Sequence, residues 1–113
     1  MNDLLQMNPE LSNFEWLISS MPGNVYWKNR QGVYLGCNAN QALSSKFKSK
    51  CEIIGKTIYD IVSDKKLAGK IQEIDNQVME SGKELTLEEK LADGRTVLSR
   101  KIPLKNKDNQ VIG

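Results

Sequence analysis

The chain has 113 residues, 39% hydrophobic and 27% charged, which suits one globular domain with one core and lies far from the composition of disordered chains. Sixteen Lys and Arg against fourteen Asp and Glu leave a net charge of +2 with the signs interspersed, so no basic block marks nucleic acid as a partner. Histidine is absent, which removes from this segment the commonest general base, the commonest transition-metal ligand, the usual proximal haem ligand and the phosphoacceptor of a histidine kinase.

Residues 1–7 lack the basic start and long apolar run of a secretory signal, and no apolar run approaches the roughly 20 residues that span a bilayer. No direct membrane contact is expected, and two cysteines, Cys37 and Cys51, too few for a disulfide framework or a structural zinc site, suit a reducing cytoplasm. Asn8-Pro9-Glu10 is a helix start, with a capping side chain, a preorganised first position and an acid at the positive end. Leu11, Phe14, Leu17 and Ile18 then recur at helical spacing, and Met21-Pro22-Gly23 ends the run. Residues 1–20 are read as a helical segment serving as a cap or a dimer helix, with the domain proper at 21–113.

The period then changes to two. Residues 25–28 and 33–38 are predicted as strands joined by Asn29-Arg30-Gln31-Gly32, with glycine where a positive φ is needed. Pairing residue 28 with 33 sets Tyr26, Lys28, Val33, Leu35 and Cys37 on one face and Val25, Trp27 and Tyr34 on the other, unless a bulge at Gly32 shifts the register. Short helical pieces are expected at 39–47 and around Ile58-Tyr59-Asp60. A longer helix follows, capped by Ser63 or Asp64, striped by Leu67, Ile71, Ile74 and Val78, and closed by Gly82.

A second hairpin is predicted from strands 84–91 and 96–104 around Ala92-Asp93-Gly94-Arg95. Pairing 91 with 96 sets Leu85, Leu87, Glu89 and Leu91 beside Thr96, Leu98, Arg100 and Ile102 on the core face. Asp108-Asn109-Gln110 makes a turn, and residues 111–113 are expected to open a fifth strand cut short by the chain end. Two hairpins split by a helical block predict an α+β fold, a five-stranded antiparallel sheet with helices on one face plus the N-terminal amphipathic helix.

The string Met21-Pro22-Gly23-Asn24-Val25-Tyr26-Trp27-Lys28-Asn29, together with Gly32, Asn38, Ile54-Gly55-Lys56-Thr57, Val78-Met79-Glu80-Ser81-Gly82-Lys83, Glu88-Glu89, Asp93-Gly94-Arg95 and Lys101-Ile102-Pro103-Leu104, resembles the PAS domain over about residues 17–113. More narrowly it is similar to PAS segments of bacterial hybrid sensor histidine kinases. The resemblance implies a regulatory input whose last strand feeds a helical linker and the dimerisation and kinase domains of the same chain. It also implies a ligand or cofactor held between sheet and helices. The family often has Asp where this chain has Asn29.

Haem is not expected, because residues 65–80 carry no histidine, and neither is a flavin of the LOV subclass, whose Asn-Cys-Arg-Phe-type motif is missing. A small polar metabolite is the ligand class left open. The expected pocket lining is Tyr26, Lys28, Leu35, Cys37, Ile71, Ile74, Glu89, Leu98 and Arg100. Lys28, Glu89 and Arg100 fall on apolar faces by register, where an unpaired charge is costly, so they are expected to pair with each other or with a polar ligand. Cys37 and Cys51 read as small hydrophobes before they read as redox sensors. Leu11, Phe14, Leu17, Ile18, Trp27 and Tyr34 are expected to form a homodimer face. No catalytic residue, metal site or nucleophile–base pair is named by the sequence, so the expectation is a sensory module acting by ligand binding or dimer rearrangement. The alternative is a ligand-free structural dimerisation domain.

Overall fold

The computed structural model describes residues 17–18, 20–49, 52–90 and 94–113. They fall into two compact units, one made of the residues up to Lys28 with Tyr34–Gly55, the other of Asn29–Val33 with Lys56–Gly113. The helix expected over 9–20 lies outside the described residues except at its end, where Leu17 and Ile18 are helical.

In the first unit, β1 (Tyr26–Lys28) pairs antiparallel with β2 (Tyr34–Cys37), and α1 (Ala39–Ser44) follows. Tyr26 lies opposite Cys37 and Trp27 opposite Gly36, but Lys28 lies opposite Tyr34, which leaves Leu35 as the extra residue of a bulge. Residue 28 therefore does not face 33. Asn29 is the reason: its side-chain oxygen accepts hydrogen bonds from the Gln31 and Val33 amides at 3.0 Å, and its own amide donates to the Val33 carbonyl, so Val33 closes the turn instead of opening the strand. Gly32 has φ +81°, as the turn requires. Gly36 is needed for a different reason, since a Cβ there would lie 2.2 Å from Cζ2 of Trp27. Ile18, Tyr34, Cys37, Ala42 and Ile53 form the core of this unit.

The second unit holds α2 (Ile58–Ile61), α3 (Lys65–Ser81), β3 (Leu85–Lys90) and β4 (Thr96–Lys101). The long helix begins and ends where its signals stand: Asp64 accepts from the Lys66 and Leu67 amides, and Gly82 closes it in the left-handed conformation. Ala68, Val78 and Met79 are its buried positions, while Leu67, Ile71 and Ile74 are half-buried. The stripe read from spacing is thus the flank of the buried face as well as its centre.

The second hairpin differs from expectation by one residue. Lys90 lies opposite Thr96, the place expected for Leu91, which is outside the described residues, so every β4 side chain is turned over. Leu87 and Glu89 share the inner face with Val97, Ser99 and Lys101, while Leu98, Arg100 and Ile102 point outward. Among the described residues there are four strands in two antiparallel pairs, not five in one sheet. The segment expected to open a fifth strand folds back locally: Val111 bridges Lys105, the Leu104 amide donates to the Gly113 carbonyl, and Asn106 holds the turn by accepting from the Asp108 and Gln110 amides. No helix among the described residues is long and apolar enough to cross a membrane.

Candidate functional site

Among the described residues each unit contains one buried lysine, and of the candidate site residues Tyr26 stands beside the first and Glu89 beside the second. In the first unit Lys28 is 9% exposed, and its ammonium stands 4.7 Å from the Tyr34 ring centroid and 5.4 Å from that of Tyr26. The two rings are tilted by 54° with centroids 5.4 Å apart, so their faces converge on the cation. A desolvated contact of this kind is worth up to about 2 kcal/mol. The bulge builds the arrangement, because it is what moves Tyr34 onto the Tyr26–Lys28 face. Tyr34, at 1% exposure, is core and not part of an outer dimer face. Cys37 is buried opposite Tyr26, in keeping with a small packed hydrophobe, and Leu35 is half-buried. Cys51 lies outside the described residues.

Asn38 closes this unit and was not singled out by sequence reasoning as a contact. Its oxygen accepts from the Val25 amide at 3.1 Å and the Gln41 amide at 2.9 Å, and its nitrogen donates to the Gly23 carbonyl at 2.8 Å. The usable signal was an Asn directly before a helical run, the standard capping position.

In the second unit the buried cation is Lys101, which the sequence did not mark because the expected register turned it outward. Its ammonium lies 2.6 Å from the Asp75 carboxylate on α3 and 3.5 Å from the Glu89 carboxylate on β3. The three side chains are only 8%, 14% and 12% exposed. Ile71 and Ile74 flank Asp75 on the same helix, half-buried. Arg100 is corrected from an inward to an outward residue: it makes a bidentate pair with Glu84, at 3.0 and 2.8 Å, in solvent. The Arg100 hydrogen bonds, helped by its charge, hold the Glu84 carboxyl below the ordinary glutamate value, and the same contact raises Arg100. Leu98, expected in the pocket, is 75% exposed.

Of the expected dimer-face residues, Leu17 is exposed, Ile18 is 7% exposed and belongs to the core, and Trp27 is half-buried across Gly36. Leu11 and Phe14 lie outside the described residues. Ring faces frame one ammonium and carboxylates flank the other, so each buried cation is met by groups of its own unit.

A family model described as the PAS fold matches residues 18–113, and the chain belongs to that family. Among solved structures, the PAS domain of Bordetella pertussis BvgS is similar with a TM-score of 0.76 at 24% identity, over 94% of this chain and 82% of that one. The Vibrio cholerae VqmA dimer, solved without its target DNA, has a TM-score of 0.73 at 21% identity over 89% of this chain and 47% of VqmA, so this chain spans about half of that protein. VqmA bound to DPO is similar with a TM-score of 0.70, again at 21% identity, over 89% of this chain and 53% of that one. At these identities the likeness is one of fold. Comparison with curated protein sequences gives no match.

Proposed function

We propose that this chain is the sensory, regulatory module of a sensor histidine kinase, in which ligand binding or a dimer rearrangement biases the kinase domains of the same chain. The observation that carries the reading is the PAS-fold match over residues 18–113, within which the Lys28 ammonium lies mostly buried beside the Tyr26 and Tyr34 rings. The ligand is a small polar metabolite, neither haem nor flavin. Lys28 and Tyr26 contact it, with Leu35 and Cys37 of the same unit as further contributors. The PAS domain of Bordetella pertussis BvgS has the same fold over nearly all of this chain, and the sequence resemblance to PAS segments of sensor histidine kinases favours a kinase as the output. The interspersed charge favours a module that does not itself touch nucleic acid, even though VqmA, a DNA-binding receptor, shares the fold. We place the module in the cytoplasm.

A signal requires that the ligand bind one of two conformations better than the other, since equal affinity shifts nothing. Native mass spectrometry of freshly purified protein, followed by thermal shift against a metabolite panel, tests this. A bound small molecule, or a stabilising shift that Lys28→Met abolishes, is the expected result. A panel without any shift, from a protein that is dimeric, would establish the second reading, a ligand-free structural dimerisation domain.

A further inference from the structure

We propose that residues 104–113 are a strap held to the second unit by two cations, Lys105 and Arg30, and that its docking and release carry the module's signal; the signalling role rests on the sensory reading above. The strap has little to hold it from within. Beyond the Asn106 turn, its arms meet at one bridge, Lys105 with Val111, and at two backbone hydrogen bonds. The Leu104 amide donates to the Gly113 carbonyl at 2.9 Å and the Ile112 amide to the Leu104 carbonyl at 2.8 Å. An isolated two-stranded pair of this kind is marginal in water. Leu104 and Ile112 stay 40% and 52% exposed, so their burial adds little.

Both bridge partners are tied to other elements. Arg30 donates from Nη1 to the Val111 carbonyl at 2.9 Å, across 81 positions of sequence. Lys105 reaches the C-terminal end of α3, where a Cβ at Gly82 would lie 3.9 Å from its Cε and its Nζ. A cation is favoured there by the negative end of the helix, whose last carbonyls lack partners within it. Arg30 in turn has a rigid support. Asn29 pins the turn by accepting from the Gln31 and Val33 amides, and buried Gly32 rests against α3, where a Cβ would meet Oε1 of Gln72 at 2.4 Å. The turn, the end of α3 and the strap all belong to the second unit. Lys28 directly precedes this turn in the chain, which gives ligand binding there a covalent route to Arg30.

Residue-resolved amide exchange by NMR on wild type, Arg30→Met, Arg30→Lys and Lys105→Met tests the strap without any ligand. Loss of either tie should raise exchange at the Leu104 and Ile112 amides about threefold to tenfold, and Arg30→Lys, which keeps a cationic donor, should fall between. The Asp108 and Gln110 amides, held by the Asn106 side chain, should keep the wild-type rate, and so should those of the β3–β4 ladder. Unchanged exchange at Leu104 and Ile112 in both Met variants overturns the strap. A rise that the β3–β4 ladder shares overturns it too, because the whole fold is then opening. A metabolite panel without binding would remove the sensory role and leave this exchange pattern in place, so the two readings fail separately.

Discussion

The two hairpins each place a lysine out of water, and they do so by opposite routes. The β1–β2 hairpin is short and irregular: its bulge and its Asn29-held turn bring two tyrosine faces to Lys28. The β3–β4 hairpin is a regular six-pair ladder, and Lys101 on β4 meets one carboxylate from the neighbouring strand β3 and one from α3. Backbone irregularity does the positioning in the first case; long-range charge pairing does it in the second. The first hairpin should therefore respond most to changes in turn, cap and packing residues, and the second to changes in charge.

The largest effect is expected at Lys101. Lys101→Met removes the shared cation and leaves the Asp75 and Glu89 carboxylates facing each other in a mostly buried place, which should cost about 3–5 kcal/mol in urea denaturation. Adding Asp75→Leu and Glu89→Leu to the same chain removes the stranded charges and should recover most of that loss. If the triple variant is no more stable than Lys101→Met, the lysine acts through its aliphatic stem and not through its charge.

Next comes Asn38. Asn38→Ala deletes the helix cap and strands the Val25 amide, while the Gly23 carbonyl keeps only the 3.2 Å bond donated by the Asn40 side chain, a combined cost of about 2–3 kcal/mol. Asn38→Asp separates the roles, since it can still accept from both amides but cannot donate to the Gly23 carbonyl; it should retain more than half of the lost stability. Equal melting temperatures for the Ala and Asp variants would mean that the Gly23 contact is the one that matters.

These two positions also show where the sequence was legible. Helix α3 was readable at both ends, because capping acts over three or four residues and Asp64 and Gly82 carry their signals locally. The existence of both hairpins was readable for the same reason. Their registers were not. In each case the question was whether one residue, Val33 or Leu91, belongs to the turn or to a strand, and period-two alternation reads equally well either way. That single-residue ambiguity decided which side chains face inward, so Tyr34 was assigned to the wrong face and Lys101 was overlooked, while Leu98 and Arg100 were placed inside. The Asp75–Lys101 contact joins residues 26 apart on a helix and a strand, and no local pattern announces it.

A smaller effect is expected from Gly36→Ala. The new methyl would sit against the Trp27 ring, and overpacking of this sort costs about 1–3 kcal/mol. Trp27→Leu in the same chain relieves the clash, so the double variant should be more stable than Gly36→Ala alone. Non-additivity of that sign in thermal melts is the check; strict additivity would show that the ring moves aside freely.

The smallest effect belongs to the solvent-exposed pair at the hairpin's outer edge. Because Arg100 lowers the Glu84 carboxyl in the folded chain, the pair contributes its stability above the carboxyl's unfolded value and loses it as the pH falls through the lower folded value. At neutral pH, Glu84→Gln should therefore shift the melting temperature only slightly, as exposed pairs usually do. On acidification the wild type should lose its small advantage and converge on the variant, and salt should narrow the gap at neutral pH. Melts of both proteins across the acid range decide it. A gap that widens as the pH falls would mean that Glu84 is held by something other than the Arg100 guanidinium, and the edge of this hairpin would then resemble its charged interior more closely than its geometry indicates.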